Sequence, residues 1–439
     1  MKKNKLILFA FCFLCRSTSG QTVWNLDDCV RFALANNNQL QSYRSNRLLA
    51  DNREKSARLS WLPTISASMG HYAGFGQSPS YNGLYIHHNA YTMLTDISFS
   101  MPVFSGLSQH WQRLAAKQES RIACLQERAF EDELVATIIR SYYQCVAQTE
   151  KMAFANRQLE VCRQQRTTLE ALFSMGKVEE ATLMECDARM AVCEKEAITA
   201  RGQLASDLLI LCRNMGIKET FAPAFPKKED FPDVKELVLS SPQEIYASAV
   251  RQDAAVLAAR TRVDQYRSLL KEQQALFFPQ ISLVAGYSNG FYAYQSAAYA
   301  GFSDQWLQNG RLSFGISLHF PIFGGTGQPY ALSNAKLRID LEKQALEYAE
   351  SQLWYTIRQY YLLTITSREK YEACEKNYEA TVGMGEHAKA NYEATKITFS
   401  EYQNYLSLVF QSYTEKVDAW CNLLCHYQML ALYGGFYTP

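Results

Sequence analysis

The stretch that decides the fold is MPVFSG, from Met101 to Gly106. It returns almost unchanged as FPIFGG, from Phe320 to Gly325. A second pair, WLPTIS at Trp61–Ser66 and FFPQIS at Phe277–Ser282, recurs in the same order and at nearly the same offset. Recurrence in a fixed order indicates an internal duplication. We therefore predict two structural repeats, at 21–220 and 243–439.

The amino terminus and the bulk composition indicate an exported chain. Residues 1–20 combine three early lysines with a short apolar run, Leu6–Cys15, which predicts a cleaved signal peptide. The formal net charge is +1 and 20% of the residues are charged, so neither nucleic acid nor a strongly acidic partner is indicated. The cysteines that follow residue 20 show no C-x-x-C spacing, and we interpret them as small buried apolar side chains. No metal site and no cofactor are predicted.

Most of the chain has the pattern of long helices. Leu107 to Phe173 contains neither proline nor glycine, and at about 1.5 Å per residue such a helix would be about 100 Å long. Apolar residues then recur at three-and-four spacing from Leu183 to Leu211, the pattern of a coiled-coil seam. These two helices are predicted to pack antiparallel, and the second repeat follows the same plan. The predicted helices are 26–60, 107–173 and 182–214 in the first repeat and 243–276, 328–394 and 398–432 in the second.

Each repeat also contains one stretch that is almost free of charge. Polarity alternates there with period two, for example over Leu312–Phe320, where every second side chain is apolar. Such alternation predicts half-buried β-strands. The predicted strands are 64–76, 90–103, 280–292 and 310–322.

Aromatic residues at both ends of these strands decide between a soluble sheet and a membrane sheet. One group lies at the loop ends, for example Tyr72 and Tyr292, and a second lies where the strands meet the helices. Two aromatic belts around an apolar face, with small polar residues on the other face, are typical of an outer-membrane β-barrel. A sheet packed on a soluble core is the alternative. The predicted membrane-interface aromatics are Trp61, Phe104, Phe277, Phe278 and Phe323.

The number of strands constrains the assembly. Four strands enclose no lumen, and unpaired strand edges are not tolerated in lipid. A membrane barrel built from this sequence therefore needs strands from further copies of the chain, arranged with closed rotational symmetry.

Several stretches, taken in order, resemble the TolC family of outer-membrane efflux ducts. They are ALANNNQLQSYRSN (Ala33–Asn46), WLPTIS, MPVFSG, FSMGKVEEATLMECDARM (Phe173–Met190) and YEATKITFSEYQNYLSL (Tyr392–Leu408). The resemblance implies a fold that is mainly α with a β part. In a homotrimer, each chain would give four strands to a twelve-stranded transmembrane β-barrel, and long antiparallel coiled-coil helices would form a periplasmic α-barrel. Residues 221–242 would be the inter-repeat equatorial linker.

The resemblance also implies a function and its partners. The chain would be a passive exit duct in the outer membrane of a Gram-negative bacterium, with a large periplasmic part. An inner-membrane pump and a periplasmic adaptor protein would deliver small molecules to it, and outer-membrane lipid would surround the barrel. The helix–turn–helix tips would contact the adaptor through Phe173, Gly176, Lys177, Thr395 and Lys396.

The same resemblance places a pore constriction at these tips. Glu401 falls where the family has a pore-lining acid, whereas Asn404 stands where a second acid is often found. We hypothesise that Glu401 from three chains forms a carboxylate ring that selects cations and, with Tyr392, holds the tip closed. Carboxylates held together raise one another's pKa. The alternative is a solvated glutamate on a helix face. The candidate gate residues are Glu401, Tyr392, Asn404 and Thr182.

No sequence feature indicates an enzyme. GGTGQ at Gly324–Gln328 follows a strand and opens a helix, but it lacks the Lys-Ser/Thr that completes a phosphate-binding loop. Two other functions remain open: the outer-membrane duct of a type I protein secretion system, and a pore-less periplasmic coiled-coil scaffold. The sequence does not separate the two kinds of duct, because the pump chooses the cargo. The scaffold would leave the aromatic belts unexplained.

Overall fold

The structure is a computed structural model that describes residues 23–79, 85–87, 89–218, 223–226, 231, 240–294, 299–322, 327–394 and 396–435. The structural statements below concern these residues. The predicted signal peptide lies outside them, as do most of the predicted linker, Phe323 and Thr395.

Helices account for most of the described residues. They are α1 (Leu26–Asn36), α2 (Asn38–Arg58), α3 (Ser108–Ser174), α4 (Glu180–Met215), α5 (Pro242–Ala249), α6 (Ala254–Ala275), α7 (Phe302–Gln308), α8 (Gly327–Glu393) and α9 (Phe399–Tyr433). The strands are β1 (Thr64–Gly74), β2 (Gln77–Pro79), β3 (Tyr85–His87), β4 (Ala90–Ser105), β5 (Gln280–Tyr294) and β6 (Arg311–His319). The longest helices, α3 and α8, have 67 residues each. Among the helices described, none combines the length and the apolarity needed to cross a membrane.

The chain divides into two compact units. The helical unit comprises Met1–Asn38, Glu133–Pro242 and Arg358–Pro439 and contains α1, α4, α9 and the later parts of α3 and α8. The sheet unit comprises Gln39–Asp132 and Gln243–Ile357 and contains all six strands. Each unit therefore draws on both sequence repeats, so the compact units do not coincide with the duplicated segments.

The first predicted helix, 26–60, is divided in two at Asn37, which corrects the prediction. The Asn37 side-chain amide donates to the carbonyl oxygen of Asn214 at 2.9 Å, which ties the break to α4. Close to this point Gly216 ends α4 with a φ of 80°, and a Cβ there would lie 2.7 Å from the Asn36 carbonyl oxygen. Glycine is required because the two helix ends approach so closely.

The predicted helix 243–276 is divided in the same way. α6 begins after Asp253, whose side-chain Oδ1 accepts from the Val256 amide at 2.8 Å as a helix N-cap. Asn37 precedes Asp253 by the same offset that separates Trp61 from Phe277, so both breaks fall at one position of the repeat. Short polar side chains favour such breaks because they bond to nearby backbone groups.

Four strands form one antiparallel sheet in the order β1–β4–β5–β6. β1 and β4 come from the first repeat and β5 and β6 from the second, so the repeats join at the centre of the sheet. The β4–β5 pairing runs from Ala90 opposite Tyr294 to Ser105 opposite Gln280, with a bulge after Pro102. A bulge suits proline because proline has no N–H for the ladder. Each outer strand, β1 and β6, has one neighbour among the described strands.

The sequence patterns do not predict α7, a short helix beside the loop end of β5. The Asn289 amide donates to the Trp306 carbonyl oxygen at 2.8 Å. Gln305 bonds both backbone groups of Tyr292, accepting from its N–H and donating to its carbonyl oxygen, each at 2.9 Å. These bonds fix α7 against the strand. A helix of seven residues is too short for helical periodicity to show.

Candidate functional site

One face of the sheet is apolar and exposed. The strand register places Ile65 opposite Phe99, Phe99 opposite Ala285, and Ala285 opposite Phe314, so these side chains share a face. Phe314 is 87% exposed and Ile65 is 71% exposed. Ile316, two residues after Phe314, is 66% exposed on the same face. A contiguous exposed apolar surface of this kind indicates contact with an apolar phase or a partner.

The opposite face carries small polar side chains. Ser66, Ser98, Gly286 and Ser313 follow one another across the four strands. The Ser66 and Ser98 hydroxyl oxygens share a hydrogen bond at 2.7 Å, and Ser313 donates to the Gly286 carbonyl oxygen at 3.2 Å. Asp96 lies two residues from Ser98 on the same side. This face therefore suits contact with water.

The aromatic residues predicted at the strand–helix junctions are exposed where the structure describes them. Trp61 is 55%, Phe104 40%, Phe277 47% and Phe278 55% exposed. The Trp61 indole N–H donates to the Arg58 carbonyl oxygen at 2.8 Å, so its polar group is satisfied while its ring stays on the surface. That combination is typical of aromatic residues at a membrane–water interface.

The glycine of MPVFSG turns the chain from β4 into α3. Gly106 has a φ of 61° and the next residue, Leu107, a φ of 69°. A Cβ at Gly106 would collide with the carbonyl oxygen of Ala275 and the side chain of Phe278, at the end of α6. The strand–helix junction of the first repeat therefore packs against that of the second, and this close contact requires glycine.

The first hairpin tip, between α3 and α4, is closed by backbone hydrogen bonds. The Lys177 amide donates to the Leu172 carbonyl oxygen at 3.0 Å, and the Gly176 amide donates to that of Phe173 at 2.9 Å. Gly176 has a φ of 68°, the left-handed conformation of a glycine helix end. Phe173 and Lys177 are exposed, so both side chains can contact a partner.

The second hairpin tip, between α8 and α9, is closed by a backbone hydrogen bond of the same kind and by side-chain caps. The Lys396 amide donates to the Asn391 carbonyl oxygen at 2.9 Å, and Lys396 is exposed. α9 then begins with a capping box, in which the Glu401 amide donates to the Thr398 hydroxyl oxygen at 3.2 Å. In return, the Thr398 amide donates to Glu401 Oε2 at 2.8 Å.

The Glu401 carboxylate is thus bound within its own tip. The backbone N–H of Thr398, and then its hydroxyl at 3.0 Å, lower the pKa of Glu401. A ring of like charges would shift the pKa in the opposite direction. Asn404 lies one helical turn further and is exposed, so it shares a face of α9 with Glu401. Thr182 is the residue of the first repeat that corresponds to Glu401. It is half-buried, and its amide donates to the Glu179 carbonyl oxygen at 3.1 Å.

The Tyr392 ring is part of the packing beneath the second tip. It stacks on Tyr402 with ring centroids 5.3 Å apart and planes at 6°, and it lies 5.7 Å from the Phe399 ring. It also packs against a buried cluster that includes Leu169 and Cys186 from the first hairpin. Burial raises the pKa of the Tyr392 hydroxyl. In this chain, Tyr392 therefore joins the two hairpins.

The sequence interpretation missed Thr398, Phe399 and the contact between the hairpins. The Gln403 side-chain amide donates to Gln165 Oε1 at 3.1 Å, which links α9 to α3. Thr398 has a sequence signal, since threonine followed three residues later by glutamate is a capping-box pattern. The Gln403–Gln165 bond has none, because its partners lie far apart in the chain.

Part of the chain matches a known protein family. Residues 30–216 match the sequence profile of the family described as outer membrane efflux protein. The alkaline protease secretion protein AprF of Pseudomonas aeruginosa is 23% identical over 256 residues, which is 58% of this chain. The match spans 50% of the length of AprF.

Solved structures share the fold over nearly the whole chain. A membrane protein from Pseudomonas aeruginosa is 18% identical, with a TM-score of 0.77 over 93% of both chains. The CmeC outer membrane channel of Campylobacter jejuni is 16% identical, with a TM-score of 0.76 over 94% of this chain and 86% of CmeC. The chain thus matches the outer membrane efflux protein family over residues 30–216 and shares its fold with solved outer membrane channels.

Proposed function

We propose that this outer-membrane protein is a passive duct through which substrates leave the cell. The observation that carries the proposal is the sheet, with large apolar side chains exposed on one face and small polar side chains on the other. The outer strands, β1 and β6, each pair on one side among the described strands. Such a sheet is stable in lipid only if both edges are paired.

Three copies of the chain would supply those pairs. If β6 of one protomer paired with β1 of the next, twelve strands would close into a barrel with the apolar face toward lipid. The polar face would then line a hydrated lumen. Short hydroxyl side chains such as Ser66 and Ser98 bind solutes weakly, which suits a passive conduit. The exposed junction aromatics would mark the periplasmic membrane interface.

The helices would form the periplasmic part of the protein. The two hairpins expose Phe173, Lys177 and Lys396 beside the turns, and we propose these residues as contacts for a periplasmic adaptor protein. Gly176 would contribute through the shape of its turn, and Thr395, the remaining proposed contact, lies outside the described residues. An inner-membrane pump would supply the energy, since nothing in a passive duct consumes it. We propose no catalytic role, in line with the channels that share the fold.

We propose a constriction at the second tip, built from Glu401 and Asn404 on the same face of α9. A threefold axis would bring three copies of this face together, and the bound carboxylate of Glu401 would attract cations. The packing of Tyr392 would hold the hairpin in place. Thr182 would occupy the corresponding position in the first hairpin without a charge.

A duct for protein secretion is the second candidate, and the likeness to AprF favours it, because that protein is named for secretion of alkaline protease. Both candidates share one channel and differ in the pump. A pore-less scaffold is disfavoured, because it gives the exposed apolar face no partner.

Current through the purified protein in a planar lipid bilayer tests the proposal. We expect discrete cation-selective steps from the wild type and weaker cation selectivity from Glu401→Gln, which keeps a side chain able to cap the helix. Glu180→Gln removes the same charge from the first hairpin, and we expect it to leave selectivity unchanged. Equal selectivity in all three proteins would rule out the constriction. An absence of current from inserted wild-type protein would contradict the open duct.

A further inference from the structure

Two cysteine side chains meet in the interior of the first hairpin. Cys162 on α3 and Cys193 on α4 have sulfur atoms 3.0 Å apart, and each side chain is 1% exposed. The two sulfurs are not bonded to each other in the structure. Since a disulfide bond needs about 2.05 Å between the sulfurs, closure requires a shift of about 1 Å. Ala155 and Ala197 belong to the same buried cluster, and their small side chains let the helices approach closely.

Polar contacts on both sides of the cysteine pair fix the register of the two helices. Toward the tip, Arg166 Nε lies 2.6 Å from Asp187 Oδ1. On the other side, the Gln144 amide donates to Asp207 Oδ2 at 3.5 Å. A slip of either helix by one turn would break both contacts. The two sulfurs therefore face each other in a defined arrangement.

The surroundings of the pair favour the reactive form of one thiol. The hydrogen bond with Cys193 lowers the pKa of Cys162 below its ordinary value, burial opposes that change, and the positive charge of Arg189 supports it. The shared proton raises the pKa of Cys193. Among the described residues, Arg189 Nε is buried and has no hydrogen-bond acceptor. Thiolate, not thiol, is the species that attacks a disulfide.

We propose that Cys162 and Cys193 are a disulfide site that staples the first hairpin after export. The oxidant is a disulfide-bearing oxidoreductase of the periplasm, a compartment in which disulfides persist. Before α3 and α4 have packed over the pair, one cysteine thiolate attacks the carrier disulfide and forms a mixed disulfide, releasing one carrier thiol. The other cysteine then displaces the second carrier sulfur. The hairpin gains one S–S bond, and the carrier leaves as a dithiol with the two electrons and two protons.

The site is confined to the first repeat. The offset that takes Pro102 to Pro321 also takes Cys162 to Thr381 and Cys193 to Ser412. The hydroxyl oxygens of Thr381 and Ser412 are 2.6 Å apart. The repeats thus keep the same pair geometry with different atoms, and only the sulfur pair can become covalent. Within its described residues, the second hairpin, which carries the proposed constriction, is joined by non-covalent contacts.

Mass spectrometry of the full exported chain tests the staple directly. Free thiols are alkylated under denaturing conditions, and the protein is then cleaved with trypsin without reduction. We expect peptide 158–163, QLEVCR, linked to peptide 190–195, MAVCEK. Alkylation of both cysteines in protein purified from the outer membrane would overturn the proposal, as would a link from either cysteine to a different residue.

Hydrogen exchange separates the covalent bond from ordinary packing. In the wild type, a reductant should speed amide exchange in the first hairpin about a hundredfold, because a disulfide closing a loop of this length strongly restricts opening. The double variant Cys162→Thr with Cys193→Ser copies the side chains of the second repeat. We expect it to assemble normally and to exchange at one rate with or without reductant. A wild type that also ignores the reductant would contradict the staple.

The reverse substitution tests whether a cysteine pair at the equivalent positions of the second repeat also forms a disulfide. Thr381→Cys with Ser412→Cys introduces a sulfur pair into the second hairpin, and we expect a new disulfide between these residues in the exported chain. Failure of that pair to link while Cys162 and Cys193 do link would support the role of Arg189. Failure of both pairs would overturn the proposal.

Discussion

In the first hairpin the turn depends on Gly176, whereas in the second it depends on Thr398 and Glu401. Gly176 ends α3 in a left-handed conformation, and Glu179, the N-cap of α4, makes no side-chain capping bond. In the second hairpin, Thr398 and Glu401 bond each other's backbone amides. The two copies therefore keep one backbone plan and satisfy their helix ends by different means.

Burial differs between the tips as well. Phe399 at the start of α9 is 6% exposed, but its counterpart in the first repeat is the exposed Glu180. Phe173 is exposed at the first tip, whereas its counterpart Tyr392 is half-buried and stacked. Apolar burial is therefore greater at the second tip, whereas the proposed covalent bond lies in the first hairpin. The variants below test this division, from the largest expected effect to the smallest.

Removal of the buried aromatic at the second tip should have the largest effect. Phe399→Ala leaves a cavity, and such changes cost about 3–5 kcal/mol. We expect amide exchange of residues 396–408 to become more than about a hundredfold faster in the assembled protein. Glu180→Ala is the matched change at the first tip. It should alter the free energy of local opening there, as measured by amide exchange, by less than about 0.5 kcal/mol. Equal effects of the two changes would show that the burial of Phe399 does not make the second tip different from the first.

A side chain at Gly176 should weaken the first tip. Gly176→Ala forces a left-handed conformation on alanine, at a cost of about 1–2 kcal/mol. Exchange of the residues around the turn should rise by a corresponding factor. Gly202→Ala is the control, because this glycine lies within α4 and its added Cβ would contact nothing within 4 Å. That change should stabilise α4 by about 0.5–1 kcal/mol. Tolerance of alanine at Gly176 would show that the turn does not depend on glycine.

Swapping the capping residues between the tips should make the stabilities of the two tips more alike. Thr398→Ala removes the hydroxyl that accepts from the Glu401 amide and should cost the second tip about 1 kcal/mol. Conversely, Glu179→Thr places a capping hydroxyl at the start of α4, which should slow exchange in its first turn. No change in either variant would mean that water satisfies these amides equally well.

The smallest expected effect is a pH dependence restricted to the second tip. The pKa of Glu401 is lowered in the folded protein, so its contribution is fully present above the ordinary value of 4.5 and is lost as the pH falls below it. Exchange at the second tip, corrected for its intrinsic pH dependence, should therefore rise in acid. Glu401→Gln should abolish this response. An exchange rate that rises with pH instead would indicate a raised pKa of Glu401, as in a crowded carboxylate ring.

Much of the secondary structure followed from local pattern. β1 and β5 begin at the first residues predicted, Thr64 and Gln280, because alternation and the preceding proline are both local signals. The break at Asn37 was not predicted, because the Asn-rich stretch around it is compatible with a helix. The break is marked by the contact of Asn37 with Asn214, which forms only in the folded chain. Glu401 was correctly placed on a helix start, but its bonds to Thr398 were not anticipated.

The amino-acid sequence by itself predicted the internal repeat, the long helices, the two-faced strands and the resemblance to the outer membrane efflux proteins. These are properties of neighbouring residues, since helix and strand periodicity arise from bonds and side-chain directions within a few residues. Only the tertiary structure decided which distant residues meet: β4 with β5, Tyr392 with the first hairpin, and Cys162 with Cys193. Such contacts depend on how two helices or strands pack and in which register, and that depends on the sum of many weak contacts along their whole length.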